Sequence, residues 1–150
     1  DENDLVDRYY KCAKKFNCKH IVRLTSDNPL IDPSIVDETL KEYIENDFDY
    51  VNNFTNRTYP KGTESEVFSF NALKTTWENA ISKFDREHVT PYIYNHPNFF
   101  KIQCIFYSKN LSNLHWTVDT VNDLDFVREI YQKISKRPIL MKDILDVIET

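Results

Sequence analysis

Two aspartates stand where a layered α/β protein would offer them to a ligand. Asp27 follows the run His20-Ile21-Val22-Arg23-Leu24-Thr25, and Asp119 follows Leu114-His115-Trp116-Thr117-Val118. Both runs are short and rich in β-branched or aromatic residues, which predicts strands. In open α/β sheets ligands bind beyond the carboxyl ends of the strands. Two carboxylates converging there suit Mg²⁺, an ion that keeps much of its water and takes few protein ligands beside substrate phosphates. Sharing one ion requires both carboxylates at one edge of the sheet, within about 8 Å. The same positions also suit N-caps for the helices that follow, and spacing alone leaves both readings open.

Other residues could carry polar chemistry. Arg86, Glu87 and His88 precede the apolar-aromatic run to Tyr94, which suits an anion- or hydroxyl-binding edge at a helix start, or a solvated first turn. The loop Tyr59-Pro60-Lys61-Gly62-Thr63-Glu64-Ser65-Glu66 sets the chain's one glycine beside two carboxylates. That suits a close-approach turn lined with acceptors, and equally an ordinary hairpin loop. His20 and His115 are isolated and read as packed side chains rather than metal ligands. Cys12, Cys18 and Cys104 have neither zinc nor disulfide-framework spacing, which fits a reducing cytoplasm.

These residues need elements to position them. Leu5, Val6, Tyr9, Ala13 and Phe16 share a helical face behind a cap at Asn3 or Asp4, predicting a helix over about 4–17. Asp32-Pro33 starts a second helix, running to about Asn46. Phe48 to Asn52 and Val67 to Phe70 read as strands, with a loop between them. Leu73, Trp77 and Ile81 mark a third helix, and Arg86 to Tyr94 a short fourth. Phe99 to Tyr107 is the longest strand candidate and 114–118 the last. Helices with Leu124, Val127, Ile130, Tyr131 and Ile134 in phase, then from Met141 to Ile148, complete the chain. Alternating strands and helices predict an α/β domain with a mixed, mainly parallel sheet, one antiparallel member and flanking helices.

Composition bounds the partners. The chain has 150 residues, 41% hydrophobic and 29% charged, which fits one globular domain over 1–150. Its one glycine, against the roughly ten of average usage, excludes a Gly-rich phosphate loop within these residues. Nineteen basic and 24 acidic residues give a formal charge of −5, which argues against nucleic acid or an anionic membrane as partner. No apolar run approaches the ~18 residues of a membrane span. The sequons at Asn53, Asn56 and Asn110 carry no weight without a secretory route.

Four strings add a resemblance: Arg23-Leu24-Thr25-Ser26-Asp27-Asn28-Pro29-Leu30-Ile31-Asp32-Pro33, the 59–69 loop and strand, Arg86-Glu87-His88-Val89-Thr90-Pro91-Tyr92-Ile93, and Trp116-Thr117-Val118-Asp119-Thr120. In this order they resemble the spore coat polysaccharide biosynthesis protein F family, a branch of the sugar cytidylyltransferases related to the acylneuraminate and 3-deoxy-manno-octulosonate enzymes. The resemblance implies a nucleotide-diphospho-sugar transferase fold, Rossmann-like. It also implies transfer of a nucleotidyl group from CTP, or another nucleoside triphosphate, to a sugar acceptor, with pyrophosphate released. Asp27 and Asp119 match the family's catalytic, Mg²⁺-binding aspartates. Arg86 and His88, with Glu66 from the loop, match positions that look out on the sugar side of the cleft; Gly62, in the close-approach turn, is read with them as substrate-binding, and exposed Tyr, Phe and Trp residues could make a homodimer face. His115 and Thr63-Glu64 depart from common family residues, so the sugar stays open. Family members begin with a strand and a basic Gly-containing loop that holds the triphosphate. The chain begins at Asp1 with its only methionine at Met141, which reads as the C-terminal portion of such a domain, inactive alone. Two other classes remain: a non-catalytic assembly module of the same fold, and a metal-dependent glycosyltransferase.

Overall fold

Most helices begin where a short polar side chain caps the first turn. The computed structural model describes residues 3–148. Asp4 accepts from the Asp7 N–H at the start of α1 (Leu5–Lys15), and Asp32 accepts from the Ser34 N–H ahead of α2 (Pro33–Glu45). Ser69 caps α3 (Phe70–Asn79) and Ser82 caps α4 (Lys83–His88). A single turn, α5 (Pro91–Tyr94), follows, and Thr120 with Asp123 forms a capping box on α6 (Val121–Lys133). At α7 (Met141–Ile148) the second oxygen of Asp32 accepts from the Met141 N–H at 2.6 Å, tying the starts of α2 and α7 together. Each cap satisfies a backbone donor that the first helical turn cannot.

Four strands form one sheet in the order β1 (His20–Arg23), β3 (Glu66–Ser69), β2 (Tyr50–Asn52), β4 (Ile102–Cys104). Strand alternation divides its faces. Tyr50 pairs with Phe68 and packs with Val6, Leu73 and Ile93 of α1, α3 and α5. Val51 pairs with Val67 on the opposite face, against Ile35 of α2, Ile130 of α6 and Ile144 of α7. The result is a three-layer α/β/α arrangement, and among the described residues no helix is long and apolar enough to cross a membrane.

The mixed α/β class is as expected, and the details differ in five places. Only β2–β4 is parallel; β1–β3 and β2–β3 are antiparallel, because β3 is inserted between β1 and β2. Residues 114–118 make a single bridge, His115 to Lys61, rather than a strand. The 99–107 run narrows to Ile102–Cys104. The 86–94 helix is two helices, and Arg86 and His88 lie in the last turn of α4 instead of the first, since Ser82 supplies the cap upstream. Ile81, outside α3, is 95% exposed.

Candidate active site

Asp27 and Asp119 meet through the backbone. Past β1 the chain turns at Ser26-Asp27, with Asn28 donating to the Thr25 hydroxyl at 3.0 Å. The Asp27 carbonyl then accepts from the Val118 N–H at 2.9 Å, which brings the 116–119 segment alongside. Neither aspartate caps a helix, since Asp32 and Thr120 fill those positions. Both line one cleft of about 270 Å³, with Arg23, Arg57, Lys61 and Glu64.

The 53–65 loop forms the other wall. Asn53 staples it from within, donating to the Thr63 carbonyl at 2.7 Å and accepting from the Ser65 N–H at 2.9 Å. Lys61 joins the 114–116 segment by two backbone bonds, its N–H to Leu114 O at 2.9 Å and its carbonyl from the Trp116 N–H at 2.7 Å. Gly62 makes that approach possible. Its φ is +103°, and an added Cβ would lie 2.6 Å from the Trp116 carbonyl carbon and 2.7 Å from the Thr117 nitrogen. Gly62 is therefore a packing residue of the wall and does not itself line the cleft. Its N–H donates to Glu64 at 2.8 Å.

Charges in the cleft are almost all paired. Lys61 holds Asp119 at 2.9 Å, with His115 Nε2 at 3.4 Å from the same oxygen. Arg57 holds Glu64 at 2.6 Å, and the Asn28 amide donates to Glu64 at 3.0 Å. Arg23 holds Glu66, its partner across the β1–β3 register. Burial by itself would lower the Arg23 pKa, but the adjacent Glu66 carboxylate outweighs it and the pKa is raised. Burial, reinforced by Glu66, raises Tyr50 well above the ordinary tyrosine value. Asp27 is exposed, and its carboxylate has no side-chain partner among the described residues.

The donor set suits a hard cation. Among the described residues no group of three or more His, Cys, Asp or Glu side chains forms a cage by itself. The oxygen donors the cleft offers are the carboxylates of Asp27, without a side-chain partner among the described residues, and Asp119, held by Lys61, and Mg²⁺ is an ion that takes few protein ligands and keeps water and phosphate in its other positions.

Of the residues singled out in the sequence, Asp27, Asp119 and Glu66 line the cleft, whereas Arg86 and His88 do not. Arg86 braces α4 against the start of α1, donating to Asp4 at 2.6 Å and to the Trp77 carbonyl at 2.8 Å. Sequence reasoning assigned no role to Arg23, Arg57, Asn28 or Thr117. Arg23, Asn28 and Thr117 stand inside the quoted strings, but the partners of Arg23 and Asn28 are fixed by register and loop packing, and the buried Thr117 hydroxyl has no hydrogen-bond partner among the described residues.

An α/β/α layered domain with a ligand cleft past β1 is the class that fold and site define. The chain belongs to the cytidylyltransferase family, whose model matches residues 1–146. It is 35% identical over 150 residues to the uncharacterized protein MJ1063 of Methanocaldococcus jannaschii, covering 99% of this chain and 60% of that protein. It is 30% identical over 142 residues to the spore coat polysaccharide biosynthesis protein SpsF of Bacillus subtilis, covering 91% of this chain and 57% of that one. The structure of a cytidylyltransferase from Leptospira borgpetersenii superposes with a TM-score of 0.94 at 29% identity, over 98% of this chain and 63% of that one. The chain thus spans about three-fifths of the length of these relatives.

Proposed function

We propose that this chain carries the metal- and acceptor-binding part of a site that transfers a cytidylyl group from CTP to a sugar, releasing pyrophosphate. The observation that carries the proposal is the Val118 N–H bond to the Asp27 carbonyl, which joins two segments distant in sequence so that unpaired Asp27 and Lys61-paired Asp119 share one cleft. The acceptor hydroxyl oxygen bonds to the α-phosphorus, the bond to the bridging oxygen breaks, and pyrophosphate leaves. Asp27 and Asp119 would hold Mg²⁺, which when bound offsets charge developing on the phosphate oxygens. Lys61 stands beside Asp119, 44% exposed, placed to swing from its carboxylate onto an incoming phosphate. Arg57, clamped by Glu64, adds a fixed positive charge to the wall. Preorganised charge of this kind supplies most of the rate in phosphoryl-type transfers.

Similarity to SpsF supports a role in surface or spore-coat polysaccharide synthesis. The triphosphate-binding loop implied by the resemblance has no counterpart among these residues, so turnover is expected from a protein that supplies it. The test is pyrophosphate release with Mg²⁺, each of the four nucleoside triphosphates, and acidic and neutral sugars, using these residues alone and joined to such a loop. Release with CTP and one acceptor, by the joined protein only, is expected. Consumption of a nucleotide-sugar without pyrophosphate would establish a glycosyltransferase instead, and inactivity with every pair would favour an assembly module.

A further inference from the structure

Arg23 reaches the cleft with most of its hydrogen-bonding capacity unused. A guanidinium carries five N–H donors, and among the described residues only Nη1 has a partner, Glu66. The side chain lines the cleft and is 16% exposed, so it is largely buried yet open to a ligand there. A largely buried charge with free donors is unfavourable until an acceptor arrives.

The Glu66 end is buried and bonded at both oxygens. Glu66 is 1% exposed; Oε1 takes Arg23, and Oε2 accepts from the Tyr50 and Thr90 hydroxyls at 2.8 Å each. Tyr50 reaches it diagonally across β2–β3, on the same face. Thr90 follows Val89, whose φ of +75° is strained for a β-branched residue. Strain of that kind persists where the surroundings over-determine the geometry. Glu66, buried and bonded at both oxygens, is closed to a sugar, and its place in the cleft is to aim Arg23.

We propose that Arg23 is the oxyanion-recognition residue of this cleft, forking onto a carboxylate or phosphate of the substrate, with Glu66 as its positioning residue. The geometry calls for an oxyanion whatever the reaction; only the choice between an anionic acceptor and a nucleotide phosphate rests on the transferase reading.

Calorimetric titration of the full chain at low salt with glucuronate, glucose 6-phosphate, glucose and CTP tests this. Wild type should bind at least one anionic probe, and Arg23→Gln should weaken that binding about 10–100-fold. Arg23→Lys should restore only part, since it keeps the charge and loses the fork. Tyr50→Phe, which removes one donor from Glu66 without altering the charge of the cleft, should weaken the same probe several-fold and leave glucose unaffected. A loss confined to the sugar acids assigns the site to the acceptor, and one confined to CTP assigns it to the nucleotide. Equal affinity of Arg23→Gln and wild type for every anionic probe overturns the proposal, as does failure of the folded wild type to bind any of them. Absence of pyrophosphate release from these residues joined to a triphosphate-binding loop, with anion binding intact, would refute the transferase reading alone.

Discussion

Replacing Gly62 by alanine should be among the most damaging single-methyl changes available to this chain. Two costs arise, and neither can be relieved by a side chain. Holding alanine at a φ of +103° costs about 1–2 kcal/mol, because its Cβ crowds its own backbone there. The same Cβ would stand 2.6 and 2.7 Å from main-chain atoms of Trp116 and Thr117, so the loop must retreat. Retreat breaks the two backbone bonds between Lys61 and the 114–116 segment, each contributing about 0.5–1.5 kcal/mol. The combined loss is about 2–5 kcal/mol, or roughly 5–20 °C in Tm for a chain of this size. Urea unfolding followed by far-UV circular dichroism, with Tm from calorimetry, measures it. A Trp116→Phe background should leave the increment unchanged, because the crowded atoms belong to the backbone. A Gly62→Ala protein within about 0.5 kcal/mol of wild type would refute the reasoning, as would rescue by trimming Trp116.

In the protein joined to a triphosphate-binding loop, Asp27→Asn should lower turnover by two orders of magnitude or more while leaving Tm near wild type, since the exposed carboxylate has no side-chain partner among the described residues. Asp119→Asn should do the same and also free Lys61, which a salt-dependent rise in KM would report. The Asp123 carboxyl is held below its ordinary value chiefly by its hydrogen bond from Thr120, with backbone donors adding to it. A depressed carboxylate stabilises the fold above its unfolded pKa, near 3.9, and loses that contribution as pH falls through the folded value. The Tm gap between wild type and Asp123→Asn should therefore be full at neutral pH, close progressively below about pH 4 and vanish in stronger acid. A gap constant with pH in thermal melts would show that the capping box does not depend on the charge.

How much of this was legible in the chain follows from the range of each interaction. The starts of α1 and α2 could be read at Asp4 and Asp32, because a cap and the N–H it accepts lie within three residues. The helical period also gave α6 and α7, though of the α6 stripe Val127, Ile130 and Ile134 are buried and Leu124 and Tyr131 are exposed. The run 114–118 carries strand-like residues and yet forms one bridge, because strand pairing requires a partner edge that the run itself does not encode. Asp27 and Asp119 stood out by type and position, but whether they cap helices or face a cleft was decided by the Val118 bond to the Asp27 carbonyl. Arg23 shows the limit most clearly. Its partner Glu66 lies 43 residues away and meets it only because β1 and β3 pair antiparallel in a register that sets the two opposite each other. Sequence by itself determined the charges, the caps of α1 and α2 and the class of fold, all local or compositional properties. Which charges neutralise one another, and which are left facing the cleft, was decided by the tertiary structure, since electrostatic pairing depends on distances that only the folded sheet sets.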